Sequence, residues 1–335
     1  MKRFFSLALI LIGCIGAMAQ SSQVATLNHN GTISAFYGRT AYKDALSMAG
    51  NGDIISLSQG SFVAADITKA VTIRGEGMIE DSIAGTFSTD IIGAFSIEIP
   101  DSIQESLKIE GIYYSGMVTG KRFNKASFIK SSFSSDFNCL NNYESDELTF
   151  IHCKITYSIN VKRGVAYFLN SFIRNPINNY NNDYQASFEF TNCIIEISQS
   201  LSRSLFNNCI IYGQHGLSSN NTAYNCVGIC TNSSYFDLFQ DLRNPNVTNN
   251  TLHNYSEIFK TYTGYNNYNN HESFELSDEA KSKYIGNDGT QIGLYGGNIP
   301  FSATPLRPII TKMAVASKST TDGKLSVDIE VSAAE

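Results

Sequence analysis

Four cations occur within ten residues around one aromatic side chain. Lys121, Arg122 and Lys125 surround Phe123, and Lys130 follows shortly after. Lysine and arginine form charge-assisted hydrogen bonds with carboxylates and sulfates. The segment therefore predicts a surface that binds an acidic glycan, and a solvated charged loop is the alternative interpretation.

Two tyrosines lie in identical polar tracts. Residues 178–182 and 266–270 both read Asn-Asn-Tyr-Asn-Asn, with Tyr180 and Tyr268 at the centres. An exposed tyrosine presents an apolar ring together with a polar tip, and asparagine can bond hydroxyl groups. We predict that these tyrosines contribute to glycan binding, although ordinary polar loops have the same composition.

Other reactive side chains do not form a recognisable catalytic or metal-binding pattern. Glycoside hydrolysis requires two carboxyl groups at a defined separation. We interpret the nearest acidic candidates as solvated loop charges: Asp136, Asp146, Glu147 and Asp183. The spacing of four candidate zinc ligands matches no compact zinc finger. These candidates are Cys226, Cys230, His215 and His253. We predict no metal site.

The elements that would position these residues are repeats. The pattern F-x-N-C-I-I occurs at residues 190–195 and 206–211, and looser copies surround it. A small residue marks each copy, at positions 75, 111, 131, 153, 171, 193, 209 and 226. If the first interval hides one unmarked copy, the mean spacing is about 19 residues, which is typical of a solenoid.

Each repeat alternates apolar and polar residues on both sides of an asparagine. Alternation with period two predicts short strands with one buried face, and asparagine tolerates the left-handed conformation of a corner. The cysteine beside it is then a small residue in an inward-facing row, stacked on Gly or Ser. We predict free buried thiols, with a disulfide between Cys226 and Cys230 as the main exception.

These repeats resemble the right-handed parallel β-helix of the pectin lyase-like superfamily. Residues 41–49 resemble the helix that caps its first coil, and residues 52–62 and 67–75 are similar to its first strands. Residues 274–301 resemble the closing coil of exported β-helix proteins from Gram-negative bacteria. Two further alternating stretches, residues 309–316 and 325–331, predict a C-terminal β-hairpin around Thr321-Asp322-Gly323.

We therefore predict an all-β chain containing a right-handed parallel β-helix of about ten coils, an N-terminal capping helix and a C-terminal β-hairpin. The predicted boundaries are 1–19 for a signal peptide, 20–39 for a lead-in, 40–300 for the β-helix and 301–335 for the hairpin and tail.

The first residues predict export. Lys2 and Arg3 precede a short apolar run, and Ala17-Met18-Ala19 offers a cleavage site between Ala19 and Gln20. Lipidation at Cys14 is the alternative, because residues 11–14 resemble a lipobox. Either route leads to the periplasm, the cell surface or the medium, and no later stretch is long and apolar enough to span a membrane.

The charge of the chain disfavours nucleic acid as a partner. The formal net charge is −6, and removal of Lys2 and Arg3 leaves 22 basic against 30 acidic residues, or −8. Phosphate binding requires clustered positive charge. A polysaccharide or another envelope component is the predicted partner.

The resemblance does not extend to the superfamily's catalytic motifs. Pectate-type lyases use clustered carboxylates for Ca²⁺ and an arginine, often in R-x-P-x-x-R. Here Arg174 and Arg243 are each followed by Asn-Pro, but Asn179 and Thr248 replace the second arginine. Polygalacturonase motifs are absent as well.

The sequence thus favours a non-catalytic, exported glycan-binding protein without a cofactor. A polysaccharide lyase or glycoside hydrolase is the first alternative, with Ca²⁺ only for a lyase. A structural or adhesive protein with a protein partner is the second alternative.

Overall fold

The structure, a computed structural model, describes residues 23–80, 87–140, 146–178, 184–198, 201–213, 217, 220–230, 238–239, 254–264, 272–304, 309–315, 323–324 and 327–332. The predicted signal peptide, its cleavage site at Ala19 and Gln20, and Cys14 lie outside these residues, as do Tyr180 and Tyr268.

The chain forms a right-handed parallel β-helix with three sheets. Sheet one contains β1 (Val24–His29), β2 (Thr32–Tyr37), β3 (Ile54–Leu57), β5 (Thr72–Arg74), β8 (Leu107–Glu110), β11 (Lys125–Ile129), β14 (Glu147–Ile151), β17 (Val165–Leu169), β20 (Ser187–Thr191), β22 (Ser204–Asn207) and β24 (Thr222–Tyr224). Sheet two contains β4 (Gly60–Val63), β6 (Thr89–Ile92), β9 (Tyr113–Tyr114), β12 (Ser132–Phe133), β15 (Lys154–Ile155), β18 (Phe172–Arg174), β21 (Ile194–Ile197), β23 (Ile210–Gly213) and β25 (Val227–Cys230). Sheet three contains β7 (Phe95–Glu98), β10 (Val118–Arg122), β13 (Phe137–Cys139), β16 (Ile159–Val161) and β19 (Pro176–Ile177).

The β-helix class is confirmed, with about eight turns where the sequence predicted about ten. One reason is the interval between Gly75 and Gly111, which contains no hidden repeat. Strand β5 pairs directly with β8, so that the whole 36-residue interval from Ile73 to Ile109 is a single turn. The other reason is that the last parallel strand described is β25, well before residue 300.

The corners between sheets one and two have the predicted left-handed conformation. The φ angle is +43° at Asn170, +52° at Asn192 and +54° at Asn208, and His152 occupies the same position with φ of +54°. The register also corrects the sequence alignment of two markers. Gly111 (φ +68°) stacks at the corner position beside Lys130, one residue before the inward-facing small position, and Gly75 stacks beside Gly111. Asparagine or glycine at this corner lets the strand direction change with little steric cost.

The inward-facing small residues are hydrogen-bond donors as well as small side chains. Ser171 Oγ donates to Leu169 O at 2.7 Å, and Cys193 Sγ donates to Thr191 O at 3.3 Å. Serine and cysteine can therefore replace each other in this row, because both donate to the carbonyl two residues earlier. Five cysteines in the described part of the chain are free and buried. Cys226 is one of them, so the disulfide considered for Cys226 and Cys230 is not formed.

Stacked phenylalanines fill the interior behind sheet one. The row contains Phe128, Phe150, Phe168, Phe190 and Phe206, whose successive ring centroids are 5.2, 5.1, 4.7 and 5.0 Å apart. Each buried aromatic side chain contributes roughly 1.5–3 kcal/mol from removal of apolar area from water. These rows hold consecutive coils in register.

The N-terminal end is covered by helix α1 (Ala41–Met48), as predicted, and by the antiparallel hairpin β1–β2. Strand β1 pairs antiparallel with β3 and thus extends sheet one beyond its first parallel strand. In α1, Ala41, Tyr42, Ala45 and Leu46 are buried, and a covering helix of this kind protects the open end of the core.

The segment after the last coil lies along the side of the β-helix, whereas the resemblance implied a closing coil. We call residues 254–264 and 272–304 the clasp; it contains helices α2 (Tyr255–Ile258) and α3 (Asp278–Lys283). Its apolar side chains form a second hydrophobic core with outward-facing residues of sheet two. The predicted C-terminal hairpin is present as β26 (Ile309–Val315) and β27 (Val327–Ser332), paired antiparallel.

Candidate functional site

One row of outward-facing side chains crosses all nine strands of sheet two. In register order the row is Ser61, Asp90, Tyr113, Ser132, Lys154, Phe172, Ile194, Ile210 and Val227. The side chains are polar up to Lys154 and apolar from Phe172 onward. We call the two parts the polar half and the apolar half of the row.

The apolar half is covered by the clasp. The Phe172 ring stacks on Phe274 with centroids 4.4 Å apart. Ile194 and Ile210 are fully buried in the same cluster as Ile292 and Leu294 of the clasp. Because both faces of sheet two are buried here, the strands carry consecutive apolar residues.

The corner residues hold the clasp along its length by binding its backbone. Asn170 Nδ2 donates to Leu294 O at 2.9 Å and to Gly296 O at 2.7 Å. The Asn208 amide exchanges hydrogen bonds with Asn287, accepting from its backbone N–H at 3.2 Å and donating to its side-chain oxygen at 3.0 Å. The corner asparagines thus both turn the chain and anchor the clasp.

Three basic side chains donate hydrogen bonds to backbone carbonyl groups of the clasp. Lys130 Nζ donates to Thr304 O, His152 Nε2 donates to Ile299 O at 3.1 Å, and Lys154 Nζ donates to Glu272 O at 3.0 Å. The Lys154 ammonium also lies 5.9 Å from the Phe274 ring centroid and 5.8 Å from that of Phe301.

These basic groups titrate at lower pH than they would in water. Burial lowers the pKa of Lys154 from 10.5 to about 8, although nearby Glu272 acts in the opposite direction. Burial lowers the pKa of His152 as well, and the neighbouring Lys130 adds to this effect. The clasp therefore ends on basic groups whose charged forms are disfavoured by burial.

The polar half borders a cavity of about 170 Å³. Its polar lining consists of Glu80, Ser88, Asp90, Tyr113 and Ser132. Met78 and Ile79 add an apolar edge. Ser61 Oγ donates to Asp90 Oδ2 at 3.4 Å and supports that carboxylate from the next strand.

This cavity combines the groups that polyhydroxylated ligands require. Carboxylates accept hydrogen bonds from hydroxyl groups, serines both donate and accept, and a tyrosine ring offers an apolar surface. The volume is below the roughly 300–1,000 Å³ of pockets for drug-sized ligands. It therefore suits a single small polar unit at the surface.

The four predicted cations are distributed over different parts of the coil. Lys121 lies on sheet three with Nζ 3.8 Å from Glu98, and Lys125 lies on sheet one with Nζ 2.9 Å from Glu147. Arg122 is half-buried at the end of β10, and Lys130 is buried under the clasp. The structure thus does not bring these residues together on one face.

The other sequence candidates have structural partners where the structure describes them. Asp136 accepts a hydrogen bond from Ser158, and Glu147 forms the ion pair with Lys125. Arg174 Nε is 3.1 Å from Glu196, and Asn175 (φ +49°) forms a corner, as expected for a turn dipeptide. Asp146 is buried at the start of β14. Asp183 and Arg243 lie outside the described residues.

A buried polar cluster under the clasp also contains titratable groups. Tyr212 bonds Tyr262 with the two hydroxyls 2.8 Å apart, and Glu196 lies beside both Tyr212 and Arg174. Burial raises the pKa of Glu196, while Arg174 and Tyr212 counteract part of that rise. Tyr212 and Tyr262 are almost fully buried, so this cluster joins the clasp to sheet two.

Among the described residues, no group of three His, Cys, Asp or Glu side chains is arranged to hold a metal ion. The hypothetical zinc ligands His215 and His253 lie outside those residues. None of the helices described has the length and apolar character needed to cross a membrane.

Comparison with known proteins adds no relative: no family model, no curated protein and no solved structure matches this chain.

Sequence reasoning missed Glu80, Asp90 and Tyr113, although a signal for their position exists. The outward-facing residue immediately before the inward-facing one changes from Ser132 and Lys154 to Phe172 and then Ile194. Paired apolar residues such as Ile194-Ile195 indicate a strand buried on both faces. At the same row position the earlier strands carry polar residues such as Asp90 and Ser132, which indicates where sheet two remains open.

Proposed function

We propose that the protein is an exported, non-catalytic glycan-binding protein whose binding site is the cavity beside the polar half of sheet two. The observation that supports this proposal most directly is the cavity lining, in which Glu80 and Asp90 face the same space as Tyr113 and two serines.

The lining favours a neutral sugar. The seven described lining residues include two carboxylates and no cation, and carboxylates repel uronic acids and sulfated sugars. A carboxylate that accepts a sugar hydroxyl forms a charge-assisted hydrogen bond, worth about 1.5–3 kcal/mol. One monosaccharide unit of a longer polymer is the ligand that this volume suits.

Isothermal titration with a panel of neutral and acidic oligosaccharides tests this function. We expect at least one neutral sugar to bind, and Asp90→Asn and Tyr113→Ala each to weaken binding at least about tenfold, since about 1.4 kcal/mol corresponds to a factor of ten. Lys121→Ala and Lys125→Ala are the matched controls, because these side chains lie on other sheets. Binding only to acidic sugars, lost in the lysine variants, would instead support the cationic surface predicted from the sequence.

A glycoside hydrolase is the second candidate, because one cavity contains both Glu80 and Asp90. Hydrolysis requires two carboxyl groups that flank the scissile bond. Reducing-end release by the wild-type protein, lost in both Glu80→Gln and Asp90→Asn, would establish this function. Binding without release on the same sugars supports the non-catalytic proposal.

A further inference from the structure

The edge of sheet one at the N-terminal end is an uncapped strand. Strand β2 is the last strand of the eleven-stranded sheet, and β1 is its single neighbour within the described part of the chain. Edge strands in proteins are usually protected by charged side chains, proline or a bulge. Residues 32–37 read Thr-Ile-Ser-Ala-Phe-Tyr and contain none of these protections.

The hairpin geometry identifies which backbone groups face outward. Asn30 (φ +51°) and Gly31 (φ +84°) form the two-residue turn, so that His29 and Thr32 are a hydrogen-bonded pair. Hydrogen-bonded pairs alternate along an antiparallel ladder. Thr32, Ser34 and Phe36 therefore bond to β1, and the N–H and C=O groups of Ile33, Ala35 and Tyr37 point away from the sheet.

The side chains of the same residues are exposed. Ile33 is 70% exposed and Tyr37 is 60% exposed, which makes them two of the most exposed large apolar residues in the described chain. Ala35 lies between them on the same face and is also exposed. A partner that satisfies the backbone would therefore also cover these side chains.

We propose that β2 pairs with β2 of a second copy of this chain, forming a symmetric antiparallel dimer. A two-fold axis midway between the two Ala35 residues places them opposite each other and places Ile33 of one copy opposite Tyr37 of the other. In this register the hydrogen bonds between the copies join only residues whose backbone groups face outward. It also creates two β-branched–aromatic pairs, a cross-strand combination that stabilises antiparallel sheets.

Charge also favours a second copy as the occupant. Strand β2 carries no charged side chain, so self-pairing places no like charges opposite each other. The dimer would join two eleven-stranded sheets through their antiparallel edges. The cavity beside Asp90 lies on sheet two, so this proposal does not depend on the proposed function.

Sedimentation equilibrium of the mature protein over a wide concentration range tests the dimer. We expect a reversible monomer–dimer equilibrium, weakened at least tenfold by Ala35→Pro, which removes one outward-facing N–H, and by Ile33→Lys, which places a charge in the interface. Asn28→Lys is the matched control, because Asn28 lies opposite Ile33 on β1, one strand further from the edge. The Ile33→Lys variant keeps the test valid if the proline variant does not fold.

Hydrogen exchange identifies the interface. The amides of Ile33, Ala35 and Tyr37 should exchange slowly at concentrations where the dimer forms and rapidly after dilution. A protein that stays monomeric at all concentrations would overturn the proposal, as would a dimer in which these amides remain unprotected. Protection of the amides in the monomer would show that another segment of the same chain covers the edge, and this result would overturn it too.

Discussion

The two halves of the outward-facing row of sheet two share one backbone arrangement and differ in what lies on top. From Phe172 to Val227 the row is apolar and covered by the clasp, and from Ser61 to Ser132 it is polar and borders a cavity. The inward-facing row behind sheet one stays apolar through both halves, with Ile55, Ile73 and Ile109 in the first coils and stacked phenylalanine rings from Phe128 onward. The interior therefore specifies the β-helix, and the outer row decides which part of its surface is available for a ligand.

A charge in the inward-facing row should have the largest effect, in either half. Cys193→Asp places a carboxylate among fully buried residues and should reduce the free energy of unfolding by at least about 4 kcal/mol. Cys193→Ser is the matched control and should change it by about 1 kcal/mol or less, because Ser171 already donates from the equivalent position. Chemical denaturation measures both values, and a Cys193→Asp variant as stable as wild type would refute the inward assignment.

Truncation of a side chain in the outer row should reduce the unfolding free energy by different amounts in the two halves. Ile194→Ala removes a side chain buried under the clasp, so we expect a loss of about 2–5 kcal/mol in unfolding free energy. Tyr113→Ala, in the polar half, should cost below about 1 kcal/mol because this side chain is only half-buried. Equal losses in the two variants would show that the polar half is covered as well.

Lys154, the last polar residue before the apolar half, should make stability depend on pH. Its pKa in the folded protein is about 8, below the 10.5 of the unfolded chain, so the unfolded state binds more protons between these values. The contribution of Lys154 to the free energy of unfolding should therefore rise from pH 8 to 10.5, by on the order of 3 kcal/mol.

The comparison with Lys154→Met isolates this effect from other groups that titrate in the same range. The difference in unfolding free energy, wild type minus variant, should rise across the window. A flat difference would show that the Lys154 ammonium is solvated, and the boundary between the two halves would then lie closer to Phe172.

The smallest effect is expected on the outer face of sheet one, whose side chains are partly exposed. Lys125 and Glu147 form an ion pair with side chains 58% and 41% exposed, so Lys125→Ala should change the unfolding free energy by below about 1 kcal/mol. Raising the salt concentration should reduce this difference further. A larger change would mean that another element packs on this face.

Much of the β-helix could be predicted because its information is local and repeated. A corner asparagine such as Asn192, the small residue after it and the alternation around it each reflect a backbone requirement within a single coil. The number of turns could not be predicted in the same way. The long turn from Ile73 to Ile109 looks like two coils at the average spacing, and only the pairing of β5 with β8 shows that it is one.

The candidate site was less accessible to prediction because it depends on register between distant strands. Asp90 and Tyr113 are 23 residues apart and become neighbours only through the pairing of β6 with β9. The predicted cations were adjacent in sequence, but the chain turns between Lys121 and Lys125 and assigns them to different sheets. Proximity in sequence therefore did not place these cations on one sheet.

The clasp also changes how this solenoid should unfold. A solenoid in which each coil contacts only its neighbours can lose coils one at a time from an end. Here residue 304 bonds Lys130 and residue 287 bonds Asn208, so one late segment links coils that are otherwise far apart along the axis. The coils from Lys130 to Asn208 should consequently melt together in one cooperative transition. That unit cannot be completed until the last third of the chain has emerged.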